Sequence, residues 1–280
     1  MSYKTILVQL TDPRRARRLF DAVLPMARSM DAHVVGLCVV PPYVVVPASD
    51  MGASSVTVDA HREAYQAEMA LLKTAFITAV KGEAFQHEWL ELDAGFASAA
   101  STIITLARAV DLVVTSQRDA DWRYSDMLEE PDRIAIESGR PLLLIPNTGK
   151  ITMPAKRITV AWNGTRESAR AVFDALPLLQ QADDVNVVWI NAAADRDATG
   201  DLPAAEICTA LVRHGVKCQA SPVSVVDTDI GHELRRQASV FGSDLLVMGC
   251  YGHTRLREFI LGGASRDVFV SASIPVLLSH

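Results

Sequence analysis

The chain repeats itself, and this repeat is the feature that most limits the folds open to it. Residues 4–8 (KTILV) match residues 156–160 (KRITV) at an offset of 152, while residues 111–114 match 244–247 at an offset of 133. The other matches are 20–22 with 173–175 and 141–144 with 275–278. Because the matches keep the same order in both parts, the repeat predicts one type of domain used twice.

The two copies are predicted to differ in length. The fall in offset along the chain indicates about 19 extra residues in the middle of the first copy. We place them at residues 41–59, which are rich in Pro, Val and Ser and have no helical period. Residues 147–150 (NTGK), followed by Pro154, are typical of a linker. We therefore expect an N-terminal domain over residues 1–147 and a C-terminal domain over residues 155–280.

Each copy alternates short β-branched runs with longer amphipathic segments, a pattern typical of a parallel sheet covered by helices. The predicted strands are 5–10, 33–40, 86–92, 111–116 and 142–145 in the first copy, and 157–162, 185–191, 217–226, 244–249 and 275–279 in the second. The predicted helices of the second copy are 166–181, 202–214, 228–241 and 264–271. Ligands of such sheets bind at the carboxyl ends of the strands where strand order reverses, so the loops after strands one and four are the candidate sites.

Composition and charge argue against several classes of protein. The net charge of −6, from 27 Lys and Arg against 33 Asp and Glu, gives no basic footprint for nucleic acid and disfavours an anionic membrane surface. The longest uncharged run, 32–49, contains three prolines and predicts a strand followed by an extended loop rather than a membrane span. Four cysteines without a C-x-x-C pair predict neither a disulfide scaffold nor a zinc module, and favour a cytoplasmic location.

A glycine-rich segment follows the fourth strand of the second copy. Gly249 and Gly252 are followed, after nine residues, by Gly262 and Gly263. Glycine at the end of a strand permits positive φ and lets a ligand approach the backbone closely, and the start of the next helix favours phosphate. The spacing is neither a Walker motif nor G-x-G-x-x-G. Glycines that only form turns are the alternative explanation.

This G-x2-G-x9-G spacing, directly after a D-L-L-V-M-G strand and before a Pro-Val-Leu strand, resembles the ATP-binding motif of the universal stress protein family. The resemblance extends over both copies. It implies an α/β fold with two Rossmann-like or flavodoxin-like domains, each a five-stranded parallel sheet flanked by helices, packed as an intramolecular pseudo-dimer. It also implies a stress-response role and an adenine nucleotide as ligand, ATP with or without Mg²⁺. A homodimer is left open.

The family resemblance also implies a set of binding residues. In members that bind nucleotide, an Asp after strand one and an apolar residue late in strand two contact the adenosine, while the loop holds the phosphates. The first two positions are Asn163 and Ile190 here. The loop positions are Met248, Gly249, Gly252, Gly262, Gly263, Ala264 and Ser265. Asn163 keeps an acceptor oxygen but lacks the charge, and Gly263 replaces the Ser or Thr usual in the family, a hydroxyl that Ser265 is placed to supply.

The first copy has lost the glycine loop. Its fourth strand leads into residues 115–119 (TSQRD), which lack both glycines, and then into the acidic stretch 126–132 (DMLEEPD). Carboxylates repel phosphate, and Pro131 has no backbone N–H to donate. We predict no nucleotide in this copy, which would act as a structural partner.

Other residues leave alternatives open. Cys250 is either a redox-sensitive thiol or a small residue that fits the loop. The histidines show no metal-ligand spacing, and no catalytic residue or metal site is predicted. Residues 43–47 form either an exposed apolar loop or a cap on the core. Nucleotide binding as a regulatory signal ranks above weak ATP hydrolysis or phosphotransfer, and above a scaffold that binds another small ligand.

Overall fold

The computed structural model describes residues 2–43, 56–191, 204–225, 229–250 and 268–280, with the side chains of 56–60 left aside. The strands are β1 Thr5–Gln9, β2 His33–Val40, β3 His87–Asp93, β4 Leu112–Ser116, β5 Leu142–Ile145, β6 Arg157–Ala161, β7 Asp184–Ile190, β8 Cys218–Val223, β9 Leu245–Gly249 and β10 Val276–Ser279. The helices are α1 Ala16–Met30, α2 Val56–Val80, α3 Ala99–Ala107, α4 Ser125–Leu128, α5 Pro131–Glu137, α6 Arg166–Asp174, α7 Leu176–Leu179, α8 Ala205–Arg213 and α9 Ile230–Phe241.

The strands form a single ten-stranded sheet in the order β3-β2-β1-β4-β5-β10-β9-β6-β7-β8. All neighbours within each copy run parallel, and β5 and β10 pair antiparallel at the centre. The α/β prediction, with two five-stranded parallel halves joined as an intramolecular pseudo-dimer, is confirmed. The predicted strands coincide with the observed ones to within three residues at each end.

The central strand pair explains why the two halves form one body. Leu142 pairs with Leu278 and Leu144 with Val276, and all four side chains are buried. Continuous apolar runs of this kind suit strands that are covered on both faces. A hydrogen bond from the Gln117 side chain to the carbonyl of Phe269 (3.1 Å) also joins the halves. The two copies therefore share one hydrophobic core.

The segment predicted as a linker is packed onto the body of the protein. Arg18 donates to the carbonyl oxygens of Pro146, Thr148 and Gly149 at 2.8 to 3.0 Å. Gly149 has φ +81°, and a Cβ built there would lie 2.1 Å from the carbonyl oxygen of Ser273. The connection between β5 and β6 is thus held on both sides and passes through a point too narrow for a side chain.

The extra length of the first copy lies in a helix, which corrects the prediction that placed it at residues 41–59. Helix α2 has 25 residues, while its counterpart α8 has nine. Residues 44–55 and 192–203, which precede these helices, lie outside the described residues. Residues 56–59 already belong to α2. The prediction failed because the apolar residues of α2 are spread around the helix, which weakens the periodic signal.

The helix predicted over 166–181 is divided into α6 and α7. Ala175 ends the first helix and precedes the second, and Pro177 lies in the first turn of α7. Proline has no N–H to donate and is therefore tolerated in a first turn, where that group has no partner within the helix. Among the described residues, no helix is long and apolar enough to cross a membrane.

Candidate functional site

The carboxyl ends of β6 and β9 lie side by side at the point where the strand order of the second copy reverses. Ala161, the last residue of β6, pairs with Met248 of β9 on one side and with Val188 of β7 on the other. The chain leaves β6 towards Asn163, and β7 ends at Ile190. The fold therefore brings Asn163, Ile190 and Met248 to one edge of the sheet, the position where open parallel sheets bind ligands.

Asn163 is exposed, but its side-chain oxygen is engaged within its own turn. That oxygen accepts hydrogen bonds from the backbone N–H (3.3 Å) and the hydroxyl (2.8 Å) of Thr165. The Thr165 hydroxyl oxygen in turn accepts from the N–H of Ser168 and caps the start of α6. The acceptor expected to replace a carboxylate is thus already used by the protein. The Asn163 NH₂ group is the part of the side chain left to face a ligand.

Ile190 ends β7 as a half-buried side chain. The next residue, Asn191, has φ 56°, and its side-chain oxygen accepts a hydrogen bond from the N–H of Val225 (2.8 Å). The preceding Trp189 is buried, with its ring 3.5 Å from a Cβ built at Gly164. These contacts fix the end of β7, and the half-buried Ile190 side chain leaves some apolar surface exposed there.

Gly249 is required for a reason other than the one the sequence suggested. The φ angle of Gly249 is not positive, so this residue does not adopt the left-handed backbone that only glycine accepts easily. A Cβ at Gly249 would instead lie 2.5 Å from the carbonyl carbon of Glu167 and 2.6 Å from the backbone nitrogen of Ser168. The start of α6 therefore packs against bare backbone here. The group that approaches Gly249 closely in the structure is the protein's own helix α6.

A buried carboxylate lies beside this contact. Glu167 is in the first turn of α6 and forms an ion pair with Arg166 at 3.1 Å. Burial is the largest influence on the pKa of Glu167 and raises it. Hydrogen bonds from its own backbone N–H and Thr165, with the charge of Arg166, outweigh this, so the pKa is lowered. Glu167 is thus ionised at neutral pH, and the mostly exposed Arg166 offsets its charge.

The Cys250 thiol is enclosed by the protein, and its surroundings raise its pKa. The residue is fully buried, and its backbone N–H and thiol both donate to the carbonyl oxygen of Ser279, at 2.9 and 3.4 Å. Burial raises its pKa to about 12. Burial and the raised pKa favour the alternative interpretation, a small residue that fits the chain path.

We expect Cys250 to resist alkylation in the folded protein. Raising the pKa from 9.0 to about 12 lowers the thiolate fraction at neutral pH about 10³-fold, and only the thiolate reacts. Iodoacetamide labelling followed by peptide mass spectrometry measures this. The reference is Cys250 in the urea-unfolded protein, where burial no longer raises its pKa and the thiol labels at the rate of a free cysteine. Labelling of Cys250 at the rate of a free thiol in native buffer would contradict the prediction.

The remaining predicted binding residues lie outside the described part of the chain: Gly252, Gly262, Gly263, Ala264 and Ser265. The described portion of the site consists of Asn163, Ile190, Met248 and Gly249. Among the described residues, no group of three or more His, Cys, Asp or Glu side chains is arranged to hold a metal ion.

The equivalent edge of the first copy contains a buried ionic cluster. The Arg15 and Glu129 side chains are only 9% and 2% exposed and form an ion pair. Arg15 also bonds to Asp12 (3.2 Å) and to the carbonyl oxygen of Gln117 (2.8 Å), and its guanidinium lies over the Trp122 ring at 5.5 Å. The two copies thus differ in the charges that fill corresponding positions.

Glu129 occupies this cluster as a bound anion would. Its carboxylate accepts hydrogen bonds from the backbone N–H of Asp119 (2.9 Å) and from the hydroxyls of Ser125 (3.1 Å) and Thr11 (3.2 Å). By the offset of 133, Asp119 stands at the position of Gly252, and Glu129 at that of the Gly262–Gly263 pair. A carboxylate surrounded by one guanidinium, one N–H and two hydroxyls has the donors that a phosphate would need.

The charge of Asp12 adds to this cluster. Burial, the largest influence, raises the pKa of Asp12, but hydrogen bonds from Arg14 and the charges of Arg15 and Arg14 outweigh it, so the pKa is lowered. Two carboxylates, Asp12 and Glu129, therefore surround one buried guanidinium. The acidic stretch is visible in the sequence, but its basic partner Arg15 was not predicted. Arg15 could have been noticed because the second copy has the acidic Glu167 at the corresponding position.

Comparisons with known proteins agree with this architecture. The sequence model of the universal stress protein family matches residues 154–280. No curated protein sequence matches the chain. A solved universal stress protein from Archaeoglobus fulgidus is 14% identical with a TM-score of 0.69, and the alignment covers 98% of this chain and 95% of that one.

A second similar structure is a functionally unknown protein from Pseudomonas aeruginosa. It is 16% identical with a TM-score of 0.57, and the alignment covers 99% of this chain and 92% of that one. At such identities the two structures establish the fold of the whole chain, including its two halves.

Proposed function

We propose, starting from the match of the universal stress protein family model to residues 154–280, that this part of the chain binds ATP. The observation that carries the proposal is the position of Gly249. It ends β9 next to β6, where the strand order reverses, and it opens the G-x2-G-x9-G segment. Backbone N–H groups of such a segment, followed by the start of a helix, suit phosphate groups.

The adenosine would lie over the neighbouring strand ends. Ile190 offers apolar surface, and the Asn163 NH₂ group offers donors in place of the carboxylate usual in the family. Gly252, Gly262, Gly263, Ala264 and Ser265 would hold the phosphates, with Mg²⁺ bound by the nucleotide. In the fold, Met248 lies directly beside β6 and borders the same edge.

We further propose that only one of the two copies binds nucleotide. Glu129 already takes up the donors of Arg15, Asp119 and Ser125 in the first copy. A phosphate would have to displace that carboxylate and would meet the charge of Asp12. In this proposal the N-terminal domain, residues 1–147, has a structural role. The C-terminal domain, residues 155–280, binds the nucleotide. ATP occupancy would act as a regulatory signal in a stress response, in the cytoplasm.

Calorimetric titration of the full chain with ATP and Mg²⁺ tests the proposal. Gly252→Asp and Gly262→Asp each place a negative charge in the phosphate loop, so we expect each to weaken ATP binding more than about tenfold. Gly82→Asp is the matched control, because a Cβ at Gly82 has nothing within 4 Å. It should bind ATP as the unmodified protein does.

The proposal fails if the unmodified protein shows no heat of binding at about 1 mM ATP, a level at which even weak nucleotide sites fill. It also fails if the Gly82→Asp control and the two loop variants bind alike. ADP formation above that of Gly262→Asp would add a hydrolytic activity to the same site.

A further inference from the structure

Helix α2 carries an unusual outer face. Its inner face is formed by Tyr65, Leu72 and Phe76, which are buried against the sheet and α1. The outer face is also poor in charge. Its side chains at 67, 70, 74 and 77 are all exposed and are Ala, Ala, Thr and Ile. A surface helix normally turns polar residues to solvent, so this face is one that a partner would cover.

The outer residues follow a regular helical spacing. Positions 63, 67, 70, 74, 77 and 81 alternate steps of four and three, which is the spacing of a helix–helix contact. The Thr74 hydroxyl donates to the carbonyl oxygen of Ala70 at 2.8 Å, so it needs no other partner. We call these six positions the stripe. Ile77 is 49% exposed, and Leu71, which is 60% exposed, lies beside the stripe. The middle of the stripe is therefore largely apolar, and its charged residues lie at the two ends.

The ends of the stripe carry opposite charges. Glu63 lies at its start, and Lys81 lies just after the end of α2. Both are exposed, and in the part of the chain that the structure describes neither forms an ion pair. Residues 63 and 81 are about 27 Å apart along a helix axis. A face with an acidic end, an apolar middle and a basic end is complementary to itself when turned end over end.

We infer that α2 is the surface through which a second copy of this chain docks, as an antiparallel helix pair whose two-fold axis passes between Ala70 and Thr74 on the outer face. In that arrangement Glu63 faces Lys81 of the second copy at both ends. Ala67 faces Ile77, and Ala70 faces Thr74, so each small side chain meets a larger one. A two-fold contact of this kind is closed, since the same patch serves both copies.

Among the described residues, the strands that could pair with a second sheet are already used or blocked. Strand β5 is paired on both sides, by β4 and β10. The sheet ends in β3, which carries Glu88, Glu91 and Asp93, and in β8, which contains Pro222. Charges and proline on edge strands oppose pairing between sheets. Helix α8, the counterpart of α2, is too short to present such a stripe.

The dimer should be weak and dependent on concentration, because one helix pair of this length lies at the low end of interface sizes. Analytical ultracentrifugation of the full chain from about 1 µM to about 1 mM covers the expected range of Kd. Glu63→Lys and Lys81→Glu each replace two attractive pairs by two repulsive ones, so each variant alone should raise Kd about fivefold or more. The double variant restores both pairs and should recover the original Kd.

A mixture supplies the decisive measurement. Chains with Glu63→Lys carry two basic ends and chains with Lys81→Glu two acidic ends, so the mixture should form heterodimers more readily than either variant self-associates. Ile77→Ser should also weaken the dimer, while Val240→Ser, a similar change at an exposed residue of α9, should not. The inference is overturned if the protein is monomeric at every concentration tested, or if it forms a dimer whose Kd does not change when the charges are exchanged. ATP binding is unaffected either way.

Discussion

Replacing Glu129 by alanine is expected to lower the free energy of unfolding by about 3 kcal/mol or more, because it leaves a buried guanidinium without its main partner. Arg15 is 9% exposed and would keep only Asp12 as a charged contact. The N–H of Asp119 would also lose its acceptor. Urea denaturation monitored by circular dichroism measures the change.

Glu130→Ala is the matched control for this variant. Glu130 is the next residue, and its carboxylate makes a 3.6 Å ion pair with Arg133, with both side chains about one-third exposed. Such a pair contributes at most about 1 kcal/mol, so the control should be far milder. Equal losses in the two variants would contradict the special role of Glu129.

The same variant tests whether the cluster is an anion site occupied by the protein itself. In Glu129→Ala, the donors of Arg15, Ser125 and Asp119 are released, so added sulfate should raise the melting temperature of the variant more than that of the unmodified protein. Glu130→Ala again gives the reference for general salt effects. An identical response of all three proteins would show that no anion takes the place of the carboxylate.

Gly149→Ala is expected to destabilise the protein by about 3 kcal/mol in total. Part of the cost, about 1–2 kcal/mol, comes from placing a side chain at φ +81°. The rest, about 1–3 kcal/mol, comes from forcing a methyl group against the backbone carbonyl of Ser273, 2.1 Å from the ideal Cβ position. The backbone carbonyl of Ser273 cannot move aside as the end of a flexible side chain would.

Gly82→Ala separates the two contributions. Its φ of +82° is nearly the same, but a Cβ there meets nothing within 4 Å. The difference between the two variants in urea denaturation therefore measures the close contact between the β5–β6 connection and the segment before β10. If both variants lose the same stability, the connection is not held tightly at Gly149.

The regular elements could be predicted because their signals are local. The strand over residues 142–145 and the start of β2 at His33 were placed correctly from short apolar runs. The first turn of helix α2 was not, because residues 56–59 were assigned to the stretch without a helical period. The break at Ala175 was also missed, although Pro177 was visible in the sequence.

The sequence indicates which strand ends border the candidate site, but not the contacts around them. The motif placed Gly249 at the correct edge of the sheet, but the group that approaches it is the start of α6. The side-chain oxygen of Asn163 was expected to serve a ligand, yet Thr165 holds it. Both details depend on how a neighbouring turn is oriented, which residue types alone do not specify.

That one α/β unit occurs twice, and that the glycine loop is kept in the second copy alone, can be read from the sequence, because repeats, alternation and spacing are properties of neighbouring residues. The antiparallel pairing of β5 with β10, and the contact of Glu129 with Arg15, 114 residues earlier in the chain, follow from the folded structure alone. Such contacts arise from the packing of distant segments, where burial makes each unpaired charge costly enough to select its partner.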